Sequence, residues 1–228
     1  MALNRKNFKK WFLMLTGRSV YHVKQTVGSF FVPGLLGGYF NSMIEKVTKQ
    51  PEYLRKGLFP SYKDSRGEDF IFPVSVIQYG LGCYDLFLKT GETIYFDKFV
   101  ECANWTLLKQ NEDGSIPNFT DVHPEEPFGA MCQGEAASLF VRAYKETNNV
   151  HYLEKAETAL RFMLKSVDEG GTSLYEEDCI ILLEFTYHKP VLNGWIFAFF
   201  GVYDYLLVKE NHDFRTIYNT LLLSIAKK

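Results

Sequence analysis

This 228-residue sequence predicts an all-α fold, an incomplete α/α barrel (toroid) of helix hairpins. Three observations carry the prediction: an internal repeat, helical spacing within each copy, and long turn-rich linkers between copies. The repeat runs through Gly82–Tyr95, Leu139–Tyr152 and Gly201–Phe214. Each copy has an apolar helix, a polar break (Thr90-Gly91, Thr147-Asn148, Glu210-Asn211) and an aromatic (Tyr95, Tyr152, Phe214) that opens a second helix. Those aromatics are offset by 57 and then 62 residues. In the second helices, Phe96–Trp105, Leu153–Phe162 and Arg215–Ser224, apolar residues recur every three or four positions, as one buried face requires. The linkers, 111–127 and 168–190, gather at one mouth of such an array, where loops carry chemistry on a rigid scaffold.

Ahead of the repeat, residues 27–70 are interrupted by Gly28, Pro33, Gly34, Gly37, Gly38, Pro51, Gly57, Pro60 and Gly67. This spacing predicts an irregular segment with short strands and a helix near Asn41–Gln50, too broken to hold a core of its own. The expected organisation is therefore 1–70, a basic helix and a Gly/Pro-rich segment packing on the barrel, and 71–228, the hairpin array.

Composition narrows the function classes. With 46% hydrophobic and 23% charged residues the chain is ordinary globular protein. Its 20 Phe and 14 Tyr predict an aromatic-rich core, with a ring-lined sugar cleft as the functional alternative. A net charge of −2 argues against a nucleic-acid binder. No acid precedes Glu45, while Arg5, Lys6, Lys9, Lys10, Arg18 and Lys24 all do. That stretch reads as a solvated basic helix, the alternative being contact with an anionic membrane surface or acidic polymer. Cys83, Cys102, Cys132 and Cys179 form no CxxC pair, so a reducing, cytoplasmic setting is expected. The apolar run Trp11–Leu15 is shorter than a signal h-region, and no stretch approaches the ~18 apolar residues of a membrane span. His22, His123, His151, His188 and His212 lack metal-ligand spacing, so no metal is expected.

Walker, GxGxxG, GxSxG and HExxH motifs are missing. What stands out is a carboxamide near three helix starts: Gln78, followed by Tyr79, in the run 72–80; Gln133 in Gly129–Gly134; and Asn193 in Val191–Gly194. Such groups either satisfy loose backbone at a helix end or offer a donor and an acceptor to sugar hydroxyls. A fourth feature is the acidic cluster Tyr175-Glu176-Glu177-Asp178, in which mutual repulsion raises the proton affinity of one carboxylate and makes it a candidate general base.

The same residues carry a resemblance. The strings FPVSVIQYGLGCYDLFL (72–88), GAMCQGEAASLFVRAY (129–144), YEE (175–177) and VLNGWIFAFFGVYDY (191–205) resemble, in order and over roughly residues 18–225, the C-terminal catalytic domain of the D-glucuronyl C5-epimerases. The resemblance implies inversion of glucuronate at C5 to iduronate within a heparosan-like acidic polysaccharide, with no metal or redox cofactor. It places the acid/base glutamate of the family's YEEY motif on Glu177, with Tyr175 and Glu176 as its neighbours and Asp178 where the motif has its last tyrosine. The loop Cys179–Lys189 is longer than the family's. Gln78, Tyr79, Gln133, Tyr175, Glu176 and Asn193 become the expected substrate contacts. The family also carries two active-site tyrosines, in YDLR-like and WDYH-like strings, beyond the helix matching Thr216–Lys227. Neither string occurs here, so a truncated domain is expected. A catalytically weak or inactive glycan-binding protein and a uronate lyase or hydrolase on the same toroid remain the alternatives, and a homodimer stays open.

Overall fold

A computed structural model describes residues 5–20, 23–24, 26–64 and 66–227. His22 and the side chains of Arg5, Lys6, Lys9 and Lys10 lie outside the described residues. Three short helices, α1 (Arg5–Leu15), α2 (Ile44–Thr48) and α3 (Pro51–Arg55), and a ribbon of β1 (Tyr62–Lys63) and β2 (Asp69–Phe70) come first. Six long helices follow: α4 (Pro73–Thr90), α5 (Thr93–Lys109), α6 (Ala130–Thr147), α7 (Val150–Met163), α8 (Leu192–Leu206) and α9 (His212–Lys227). Between α7 and α8 lies a hairpin of β3 (Ser173–Glu176) and β4 (Cys179–Leu182).

The protein is mainly helical, as the repeat predicts, and its polar breaks work as helix ends. Gly91 and Asn148 take left-handed conformations, and their N–H groups return to the carbonyls of Phe87 and Tyr144. Asn149 caps α7 through His151 N, and Asn211 Oδ1 accepts from Phe214 N at the start of α9. Successive helices pair as α4/α5, α6/α7 and α8/α9. The first members, α4, α6 and α8, also pack on one another in a deeply buried inner row, with α6 between its neighbours. Gly134 and Gly201 let α6 and α8 touch: a Cβ at either would collide with backbone of the facing helix.

The Gly/Pro-rich segment is tied to this row by one buried cation. Arg142 of α6 donates to Asp204 of α8 (2.6 Å), to the Gly37 carbonyl (2.9 Å) and to the Gly38 carbonyl (3.1 Å). Tyr39 and Met43 beside it are fully buried, and Tyr39 N donates to Asp85 of α4. The helix expected near Asn41–Gln50 is the single turn-and-a-half of α2, and the expected strands are the two-residue β1 and β2.

The second linker carries a hairpin of its own. The sequence predicts a turn-rich linker, and within it residues 173–182 form an antiparallel hairpin with Glu176 opposite Cys179. Ile180, Ile181 and Leu182 are buried, and Ile180 N donates to Ser224 Oγ on α9. An apolar run of this length is equally compatible with strand or buried helix by periodicity, and the packing against α8 and α9 decides it. No described helix is long and apolar enough to cross a membrane.

Candidate active site

At the end of the array where α4, α6 and α8 begin, a cavity of about 990 Å³ opens between the helix starts and the N-terminal segment. Its floor is Gln78 and Ser75 of α4, Met131 of α6, and Asn193 and Phe197 of α8. Tyr62, Phe72 and Phe119 form an aromatic wall, and Lys24, Lys46 and Lys49 form a basic one. Most of the aromatic surplus is core, as in the stacked pair Phe40–Phe200 (3.6 Å), and a minority of rings reach the cavity.

Each polar group is held by its own element. Phe72 is extended and Pro73 sits in the first turn of α4, where its missing N–H is no loss. Asn118 Oδ1 accepts from Val74 N (2.9 Å), and the Tyr62 hydroxyl meets Ser75 Oγ at 2.6 Å. One turn on, Gln78 Nε2 donates to both carboxylate oxygens of Glu135, at 3.0 and 3.2 Å. Glu135 is fully buried on α6, directly behind Gln78. Burial pushes its carboxyl up to about 8; the Gln78 amide and Lys46 oppose this and Glu184 adds to it.

Glu184 follows β4. Its predecessor ties the strand to α6, since Ala130 N donates to the Leu183 carbonyl (2.7 Å). The Glu184 side chain lies against Gly194, where a Cβ would overlap it, and lines the cavity beside Asn193. Its Oε2 is buried with no hydrogen-bond partner among the described residues, and burial raises its proton affinity. On the basic wall, burial lowers the proton affinity of Lys46, while Lys49 pairs with Glu45 at 2.8 Å.

Of the residues expected from the sequence, Gln78 and Asn193 meet at this cavity. Tyr79 points to the other side of α4, where its hydroxyl donates to the Gln50 carbonyl (3.2 Å). Gln133 is fully buried and staples α6 to the linker, accepting from Ile116 N (3.2 Å) and donating to Ile116 O (2.9 Å). Tyr175 donates to the Leu164 carbonyl at 2.6 Å. Glu176 ends β3, and Glu177, at φ 32°, turns the hairpin. With Asp178, Cys179 and Lys227 they border a separate depression of about 400 Å³, so the structure does not bring them to the cavity of Gln78. Among the described residues no three His, Cys, Asp or Glu side chains converge as metal ligands.

Two carboxylates, Glu135 buried behind Gln78 and Glu184 at the cavity, escaped the sequence reading. A signal for the first was present. Gln78, Glu135 and Phe197 are separated by 57 and 62 residues, the offsets of the repeat itself, so they are equivalent positions of successive hairpins. Glu184 had a weaker signal, as the lone acid within the apolar stretch Ile180–Phe185.

A profile of the D-glucuronyl C5-epimerase C-terminus matches residues 88–228. The chain belongs to this family. A curated relative, D-glucuronyl C5-epimerase of Caenorhabditis elegans, is 32% identical over 134 residues, 50% of this chain and 21% of the relative. The chain thus spans about a fifth of that relative's length. The epimerase-family match contains Glu135, Glu184 and Asn193, whereas Gln78 lies just ahead of it. Glu184, a carboxylate whose proton affinity burial raises, thus shares the cavity with polar amides, aromatic rings and ammonium groups, an arrangement suited to proton transfer.

Proposed function

We propose that this epimerase-family chain acts on glucuronate in a heparosan-like or other glycosaminoglycan-like polysaccharide, inverting C5, with Glu184 as the base. The observation that carries this reading is the Glu184 carboxylate, which lines the cavity between Gln78, Asn193 and Lys46 and has one buried oxygen without a hydrogen-bond partner among the described residues. Burial raises its proton affinity above that of an ordinary carboxylate, which makes it a stronger base than a surface glutamate.

The chemistry follows from the substrate. The C5 hydrogen lies α to the uronate carboxylate. Its removal breaks the C5–H bond, moves the electron pair into an enediolate, and leaves the proton on Glu184. The growing charge needs cations or hydrogen-bond donors, and Lys24 and Lys46 supply positive charge at this wall. A proton from solvent water delivered to the opposite face of C5 then completes the inversion, and Glu184 returns its proton to the solvent. The Tyr62, Phe72 and Phe119 rings offer apolar surface to the sugar faces.

Incubation with heparosan in D2O tests the reading by deuterium appearing at C5. Glu184→Gln is expected to lower exchange by about 10²–10⁴-fold with the fold intact, the usual contribution of a positioned base. Glu177→Gln is expected to exchange like the parent. Normal exchange in the Glu184 variant, or loss confined to the Glu177 variant, would return the base to the hairpin turn. An ultraviolet-absorbing unsaturated uronate would indicate elimination instead of inversion. Heparosan binding with no exchange at C5 would leave a glycan-binding protein.

A further inference from the structure

Gln78 and Glu135 are equivalent positions of adjacent hairpins, and their side chains meet across the α4–α6 contact. The Gln78 amide nitrogen donates to both Glu135 oxygens, at 3.0 and 3.2 Å, and Gln78 itself lines the cavity. A carboxylate can only accept, so an ionised Glu135 admits the amide nitrogen alone and leaves the amide carbonyl oxygen on the side away from it. As a helix–helix contact this pair is a poor choice. Burying a carboxylate costs more hydration than two hydrogen bonds from an amide return, even with the Lys46 charge nearby, and an apolar pair would hold the helices as well.

We propose that Glu135 is a positioning residue, which fixes the Gln78 amide so that the cavity presents a hydrogen-bond acceptor at this point and selects a sugar unit that brings a hydroxyl or N–H donor to it. The ligand class rests on the polysaccharide reading above; the orientation of the amide does not. The groups that face Glu135 are Gln78 on α4, Lys46 on α2, Glu184 after β4, Tyr39 in the N-terminal segment and Cys132 on its own helix. Because burial holds the carboxyl toward about 8, the acceptor is presented most fully as pH rises through that value. Below it, the protonated acid gains a donor, and an amide turned over to bring its oxygen to that donor no longer presents it to the ligand.

The experiment uses the full chain, wild type and Glu135→Gln, with two readouts. The first is the side-chain amide resonance pair of Gln78 between pH 6 and 9.5 in the free protein. The expected result is one titration in the wild type and none in the variant. The second is the affinity for a heparosan tetrasaccharide and for its uronate 2-deoxy and 3-deoxy counterparts. Wild type is expected to lose about 5–10-fold on removal of one of these hydroxyls, the worth of one hydrogen bond, and the variant less than about 2-fold. Gln78 resonances indifferent to both pH and substitution, or full discrimination retained in the variant, would overturn the proposal. If the amide titrates as expected and the tetrasaccharide does not bind, the polysaccharide reading fails and the positioning role stands. Should the variant not fold, the wild-type titration alone decides.

Discussion

At the scale of single residues, the carboxylates at the cavity and behind it have surroundings that differ from those of ordinary surface acids. Glu135 illustrates the sign of the effect. Its folded proton affinity lies above the unfolded value, so the stability it confers is complete below about pH 4.5 and is lost as pH rises through about 8. Wild type should therefore lose stability across that window by ~1 kcal/mol per pH unit, relative to Glu135→Gln. Parallel denaturation midpoints for the two proteins from pH 5 to 9 would refute this. Gln133 makes the contrasting case, since its amide is consumed by the Ile116 backbone. Gln133→Ala should cost about 2–4 kcal/mol by stranding two buried backbone groups. C5 exchange per folded molecule should persist; a selective loss of exchange would give Gln133 a role in the site.

At the scale of elements, the contact that shapes the floor of the site is the close passage of α6 and α8 at Gly134 and Gly201. Gly134→Ala should push the helices apart and cost about 1–3 kcal/mol, as overpacking in a tight interior does. Amide exchange should rise along both helices, and protection unchanged from wild type would show that the contact yields without strain. The β3–β4 hairpin was not legible in the sequence, because four apolar residues in a row fit a buried strand and a buried helix equally well. The six long helices were legible because their signals are local: apolar spacing, and residues such as Gly91, Asn148 and Asn149 that end or begin a helix wherever they stand.

At the scale of the whole molecule, the N-terminal segment and the inner helices share one buried ionic centre. Arg142 and Asp204 are almost completely buried, and the guanidinium also holds the Gly37 and Gly38 carbonyls. Asp204→Ala would remove the carboxylate hydrogen-bonded to that cation and leave it only the pull of Asp85, at a cost of about 3–5 kcal/mol. Protease cleavage within residues 27–43 should appear before the helices melt. Replacing both partners by apolar residues should be milder than removing Asp204 alone, and a double variant as unstable as the single one would argue against this account.

Read as a sequence, the chain determined its own hairpin array, its family resemblance, and two of the residues at the cavity, Gln78 and Asn193. These follow from spacing along a helix, which is fixed by backbone geometry within a few residues. Tertiary structure alone decided which glutamate faces the cavity. Glu177 turns the hairpin and Glu184 leaves its far end, and an extended run between them spans up to about 23 Å at ~3.3 Å per residue. Nothing in the local pattern states which end of a hairpin meets the mouth of the array. That follows from burying Ile180–Leu182 against α8 and α9, a contact between residues distant in sequence.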